Sequence, residues 1–387
     1  MIKQQVGKKA AWLALWAAMS GGIGLEALGQ TIQIGPVVTG AEDAQAQALP
    51  VGLAMSPDGA QLALGRGNVV SVSPVMTEAQ VRAREEAFRR GVPLQPSMRL
   101  LADDAPVTSV AWSPDGQFLA SGGGDEQEGE VVVRETKTWT EAMRLPHTDI
   151  VWSVAWSPDG RYLAAGSGIQ SGEVVVWDVT TKTPAARLNH ASPVTDIAWS
   201  PDGKRMATRN GDDRRGEVII WATGDWREVS RPGGANVVTC VAWSPDGRHL
   251  AAGNWDERRE HGEVLVWEFQ KKPSPMRLDH TGIVRRIAWS PDGKHLAAWG
   301  GEIGAATATV WEVKRWRMTP TNMRLPTSNG SIVWSPDGKT LLIAGTAGNG
   351  VFQTRWTVPP ASDPLPAQPQ SNPDNERRFE RPDWWRN

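Results

Sequence analysis

The chain has 387 residues, and its 41 Lys and Arg against 43 Asp and Glu leave a net charge of −2, which offers no basic field for general nucleic-acid binding. Charged residues at 22% and apolar residues at 40% fit a folded globular chain rather than one disordered throughout. A single Cys excludes an intrachain disulfide and a Cys-cluster metal site, and 21 Trp against five Phe and one Tyr is the oddity of the composition.

Met1 to Lys9 carries three Lys and no acid, and Ala10 to Leu25 carries no charge at all. Ala27-Leu28-Gly29 then places small residues at −3 and −1 of a cut before Gln30. This is the order of a secretory signal peptide, predicted over 1–29. The expected location is therefore periplasmic or secreted, with no stable membrane insertion after cleavage. The alternative is a membrane anchor left uncleaved, although the apolar stretch is short for a span of roughly 20 residues. No Cys lies near the cut for a lipid anchor, and there is no twin Arg.

One phrase then returns along the chain. It begins as Ala54-Met55-Ser56-Pro57-Asp58-Gly59 and recurs at Ala111 to Gly116, Ala155 to Gly160, Ala198 to Gly203, Ala242 to Gly247, Ala288 to Gly293 and Val333 to Gly338. The serines of the seven copies stand 57, 44, 43, 44, 46 and 45 residues apart. A period in the forties points to a propeller or solenoid. Ser-Pro-Asp-Gly reads as a type I turn, with Pro fixing φ at the second position. Strands such as Val194-Thr195-Asp196-Ile197-Ala198-Trp199 precede it, and strands such as Tyr162-Leu163-Ala164-Ala165 follow. A Gly-rich hairpin leads to a β-branched run, as in Val174-Val175-Val176-Trp177, of the kind buried on both faces of a sheet. A fourth run carries Met-Arg-Leu at 98–100, 143–145, 276–278 and 323–325, with Ala186-Arg187-Leu188 as a variant. Four strands per repeat make one blade, and helical periodicity is lacking.

These residues resemble the WD-repeat β-propeller family in its bacterial, Ser-Pro-Asp-Gly form. The likeness rests on the seven turns, on strand-ending Trp177-Asp178, Trp267-Glu268 and Trp311-Glu312, and on His147, His190 and His280 ahead of first strands. The resemblance implies an all-β, seven-bladed β-propeller of four-stranded blades over 30–357, and structural rather than chemical roles for those three His and for Trp177, Trp221, Trp267 and Trp311. The family's Asp before the third strand is here mostly Gly-Glu (Gly172-Glu173, Gly216-Glu217, Gly262-Glu263), so its buried His–Ser/Thr–Asp–Trp network is expected to be incomplete. Trp221 is followed by Ala222, and Arg134-Glu135 replaces Trp-Asp. The periplasmic propeller of the Tol system shares the phrase, but that likeness implies six blades and an N-terminal α/β domain, for which 30–55 leaves no room.

The last repeat supplies three strands and then reaches Val358-Pro359-Pro360. The apolar run Thr31 to Val38 has no blade of its own, so it is predicted to close blade seven as its outer strand, where an edge tolerates Pro36. The long first spacing contains the capping box Thr77-Glu78-Ala79-Gln80 and a helix over 78–90, an insertion in blade one at about 76–91. It reads as a docking helix or as a surface elaboration. The Pro-rich tail, 358–387, is expected to be disordered, and its Trp384-Trp385 reads as a short ligand for a partner or as an inert end.

No catalytic motif stands out: there is no His-Glu-x-x-His, Gly-x-Ser-x-Gly or phosphate loop. The expectation is no enzyme, no metal and no cofactor. Trp112, Trp156, Trp199, Trp243, Trp289 and Trp334 fill a repeated core position; Cys240 reads as a small buried hydrophobe, and His249 and His295 as solvated. The candidate interaction face gathers Trp152 and Arg285 on first strands with the hairpin residues Asp212, Asp213, Arg214, Arg215, Trp255, Arg258, Arg259 and His261, since exposed Trp and Arg often dominate interfaces. Solvated hairpins are the plain alternative. The expected function is an exported, monomeric, non-catalytic scaffold for a protein or peptide. The alternatives are an enzyme, or a small-ligand or glycan sensor, using the channel-mouth loops.

Overall fold

The computed structural model describes residues 31–32, 52–75, 80, 99–125, 127–211, 215–233, 235, 237–256, 261–269, 274–302, 305–319, 323–325, 330–347 and 350–358. The leader, the tail from 359 and, Gln80 apart, the expected helix over 78–90 lie outside the described residues. Among the described residues no helix is long and apolar enough to cross a membrane.

The repeated turn explains the repeated fold. In every copy the Ser Oγ donates to the Asp Oδ1 at 2.5–2.7 Å. The same Oγ accepts the amide five residues on at 2.8–3.0 Å. The closing Gly donates to the Ser carbonyl and takes φ between +67° and +71°, a left-handed conformation that only Gly adopts freely. Each turn therefore reverses the chain between a first and a second strand.

Seven antiparallel sheets result. The innermost strands are Gly52–Met55, Val107–Trp112, Val151–Trp156, Val194–Trp199, Val237–Trp243, Val284–Trp289 and Gly330–Trp334. The strands that follow each of them pair outward in chain order. Blade six divides its outer position between Arg317–Met318 and Met323–Leu325, both on Ala305–Glu312. The innermost strands pack neighbour to neighbour around a ring, and that of blade one meets those of blades two and seven. The molecule is a seven-bladed β-propeller.

Closure is as expected. Thr31–Ile32 pairs antiparallel with Gly350–Thr357, Thr31 opposite Thr354 and Ile32 opposite Gln353, and so supplies the outer strand of blade seven. The turns close too. A Cβ on Gly59 would stand 2.7 Å from Pro336 Cδ of the last turn, whereas one on Gly116 would stand 3.7 Å from Pro57 Cδ. The two glycines have φ +71° and +70°. Gly116→Ala should therefore cost about 1–2 kcal/mol for left-handed strain, and Gly59→Ala about 1–3 kcal/mol more for overpacking at the seam. Urea melts of the pair check this; equal losses would mean that the first and last turns do not touch.

The repeated Trp joins each blade to the one before it. Trp112, Trp156, Trp199, Trp289 and Trp334 donate Nε1–H to the carbonyls of Ala54, Ala111, Ala155, Ala242 and Ala288 at 3.0–3.2 Å. In these five cases the Ala ahead of one repeat residue is the acceptor for the next blade's indole, whereas Trp243 Nε1 finds no partner among the described residues. In blades two, three, five and six the residue opening the second strand lies over the next blade's indole: Phe118 on Trp156, Tyr162 on Trp199, His249 on Trp289 and His295 on Trp334, with interplanar angles of 7° to 27°. The expectation of solvated His249 and His295 is corrected here, because position in the blade overrides the basic neighbour: His295 is buried and His249 largely so. Blade four opens its second strand with Arg205, which lies over Phe269, and Phe269 stacks on Trp243 instead. Trp139, Trp226 and Trp316 take left-handed φ of 50° to 63° and meet Trp112, Trp199 and Trp289 edge-on, covering the blade ends.

The Gly-Glu departure has its own use. Glu130, Glu173 and Glu217 pair with Arg144, Arg187 and Arg231 at 2.6–2.8 Å, and Glu263 pairs with Arg277. Each Arg stands fourteen residues after its Glu. The acid therefore ties the third strand to the fourth within one blade.

Candidate functional site

Strands that alternate in direction place the segments entering first strands and the hairpins between second and third strands at one end of the ring. First strands of blades two to six carry a register shift just inside that end, between Val107 and Ser109, Val151 and Ser153, Val194 and Asp196, Val238 and Cys240, and Val284 and Arg286. A bulge of this kind turns side chains out of the ladder. At the head of the channel it leaves a cavity of ≈120 Å³. Its walls include Ser109, Trp152, Ser153, Asp196, Arg286 and Ser331, from blades two, three, four, six and seven.

Asp196 reaches across to blade five, where its Oδ2 accepts the Val241 amide at 2.8 Å, and its Oδ1 accepts the Ile197 amide at 3.2 Å. Ser109 does the same for Val154 of blade three, at 3.2 Å. Burial pushes the Asp196 carboxyl above the usual carboxylate range, and Arg286, the Val241 amide and Arg209 pull it back. Arg209 donates Nε–H to the Val238 carbonyl at 2.6 Å and Nη1–H to Thr195 Oγ1. Arg286 donates to the Arg285 carbonyl at 3.0 Å. The Cys240 thiol is pushed up to about 11 by burial and then by the Asp196 charge, so it is not a nucleophile near neutral pH.

The structure divides the predicted face. Trp152 lines the cavity, half-buried, and its Nε1–H is committed to the Gly168 carbonyl at 2.7 Å. Arg285 adjoins Arg286; its Nε is buried without a partner among the described residues, and burial followed by the Arg286 charge lowers its pKa. Arg215 is exposed on the blade-four hairpin. Trp255 pairs in register with Val237 and Gly262, and His261 Nε2 stands 3.4 Å from Asp279 Oδ1. Asp212, Asp213, Arg214, Arg258 and Arg259 lie outside the described residues. Asp196, Arg209 and Arg286 do not stand out in the sequence as a site. Their signal was available: Ser109, Ser153, Asp196, Cys240, Arg286 and Ser331 all stand three residues before the repeat Trp. The arrangement can hold a polar group, and among the described residues no cluster of His, Cys, Asp and Glu could hold a metal ion.

The repeat His and Trp frame each blade rather than the cavity. In blade four His190 Nε2 and Trp221 Nε1 both meet Thr208 Oγ1, at 2.9 and 3.0 Å. In blade three Ala165 takes the Thr position, and Trp177 Nε1 reaches His147 Nε2 directly at 3.4 Å. Trp267 turns to the Gly233 carbonyl at 3.1 Å, while Trp311 stays buried beside Ala298 in blade six and His280 is buried at the end of the outer strand of blade five. Blade two replaces His and Trp together: buried Arg134 pairs with Asp103 and reaches Ser121 Oγ at 3.3 Å. The network is thus rebuilt blade by blade. Thr208→Val keeps the shape and leaves two buried partners unpaired, so it should cost about 2–3 kcal/mol in urea melts. A loss under about 0.5 kcal/mol, the range of a plain surface change, would show the relay to be idle.

One family model, described as Eukaryotic translation initiation factor eIF2A, matches residues 76–215, 132–272 and 263–352. The matches overlap as a repeat slid by whole blades would, and together they span more than two thirds of the chain. No curated protein matches it.

Proposed function

The chain belongs to the family described as Eukaryotic translation initiation factor eIF2A, and on that premise we propose that it is a non-catalytic interaction platform which presents the channel mouth to a protein or peptide. The observation that carries this reading is the ring itself. Seven closed blades hold Trp152, Asp196 and Arg286 in fixed walls, so little conformational freedom is left to lose on binding. The Ser-Pro-Asp-Gly form of the repeat supports a bacterial member. The platform is a monomer and is exported: the basic, apolar and small-residue order of 1–29 supports a cleaved leader. The family's description names a translation factor, which would favour an assembly inside the cell. A net charge of −2 gives no support to nucleic acid as its direct ligand.

Two measurements test the proposal. The mass of the protein from the exported fraction should correspond to a chain starting at Gln30; a retained Met1 refutes export with cleavage. Affinity purification should then recover a companion that the double variant Trp152→Ala/Trp255→Ala loses and the opposite-face variant Arg227→Ala keeps. Equal recovery by all three, or no specific companion, would refute the platform.

A further inference from the structure

We propose that the cavity at the head of the channel is a binding site for a small oxyanion, held by the Arg286 guanidinium among the hydroxyls of Ser109, Ser153 and Ser331. Charge is the first argument. Arg286 lines the cavity with a single carboxylate, Asp196, on which Arg209 also acts, and both oxygens of that carboxylate are already engaged by backbone amides. Guanidinium groups taken out of water are costly unless an anion faces them.

The second argument is independent. The hydrogen bond of Arg286 among the described residues goes to a backbone carbonyl, not to an acid, although its side chain lines the cavity. Donors are therefore left over at this spot, and a planar guanidinium beside hydroxyls is the donor set that recognises phosphate or carboxylate. Size is the third argument. A cavity of ≈120 Å³ has room for several water molecules, each needing about 10–15 Å³ by this measure, and therefore for a phosphate or carboxylate group. The site stands apart from the platform reading, since a small anion can occupy the channel whether or not a protein docks on the rim.

The test is calorimetry on the full chain with inorganic phosphate and, separately, acetate, each at constant ionic strength against chloride. Saturable heats are expected. Arg286→Gln should weaken binding by at least about tenfold, the loss of one charge-assisted contact. Asp196→Asn should tighten it several-fold by removing the like charge. Tighter binding of phosphate assigns the site to free phosphate, and tighter binding of acetate assigns it to the carboxylate of a chain end or acidic side chain. If Arg286→Gln does not fold, a crystal of the wild-type chain soaked in selenate decides: anomalous density within hydrogen-bond reach of Arg286 supports the site. Heats that do not saturate, identical affinity in Arg286→Gln, or a selenate-free cavity would overturn it.

Discussion

Trp199→Ala should lower the free energy of unfolding by about 4 kcal/mol, the middle of the range for a buried indole replaced by a methyl group. Three contacts go at once. The side chain is buried between blades three and four, stacks on Tyr162 at 6.4 Å and meets Trp226 edge-on at 6.0 Å. Its Nε1–H to the Ala155 carbonyl, at 3.1 Å, is also lost. A single domain commonly has about 5–15 kcal/mol in total, so one such change should bring the ring close to unfolding. Two milder variants separate the contributions. Trp199→Phe keeps most of the area and removes the donor to the Ala155 carbonyl, whereas Trp243→Phe removes an indole whose Nε1 has no partner among the described residues. Trp199→Phe should therefore cost about 1 kcal/mol more than Trp243→Phe. Equal costs in parallel chemical melts would show that the inter-blade hydrogen bond contributes nothing net.

Acid should unfold the propeller well before its carboxylates titrate. Burial lowers His147 from the ordinary 6.5 to about 4, with Arg187 adding to the effect, and burial lowers His190, His280 and His295 in the same direction. The folded state then keeps these rings neutral while the unfolded chain binds protons from about pH 6.5 downward. The unfolded state binds more protons, so stability is fully present above pH 6.5 and is lost as the pH falls toward 4. For His147 alone the difference is about 3 kcal/mol at roughly 1.4 kcal/mol per unit. A second loss follows below about 3.8, because Asp58, Asp159, Asp202 and Asp337 are held low chiefly by their Ser hydroxyls and then by backbone amides. Melting temperature against pH should therefore fall from pH 6.5, and His147→Gln should flatten the upper limb. A profile flat down to pH 4 would contradict the buried neutral imidazoles.

The turn was legible because its chemistry is local: Ser, Pro, Asp and Gly each act within five residues of one another. The latch was legible because blade seven lacked a strand and Thr31 to Val38 lacked a blade. What escaped the sequence acts across a blade boundary. The neighbouring Lys294 makes His295 read as solvated, yet its ring lies on Trp334 of the next blade. Trp299 is fully buried where blades two, three and five have Gly122, Gly166 and Gly253, because the innermost strand of blade seven carries Gly330 and Ser331 where others place Val and a bulge. Trp356 occupies the Trp177 position without the acid that marks it elsewhere. Asp196 and Arg286 sit two blades apart and share a cavity only because the ring closes on seven. Their column becomes visible when the repeats are aligned and the position three residues before the repeat Trp is read down the blades.

The ring and its latch are tested most directly by a cross-link. Thr31 and Thr354 are Cα partners across the closing pair, within the geometry of a disulfide, and the native Cys240 is buried. In the Thr31→Cys/Thr354→Cys variant, mild oxidation should join the peptide holding residue 31 to the one holding residue 354, as read by mass spectrometry without reduction. Two free thiols after oxidation, or a disulfide from position 31 to any site outside Gly350–Thr357, would contradict a propeller closed by its own N-terminal strand.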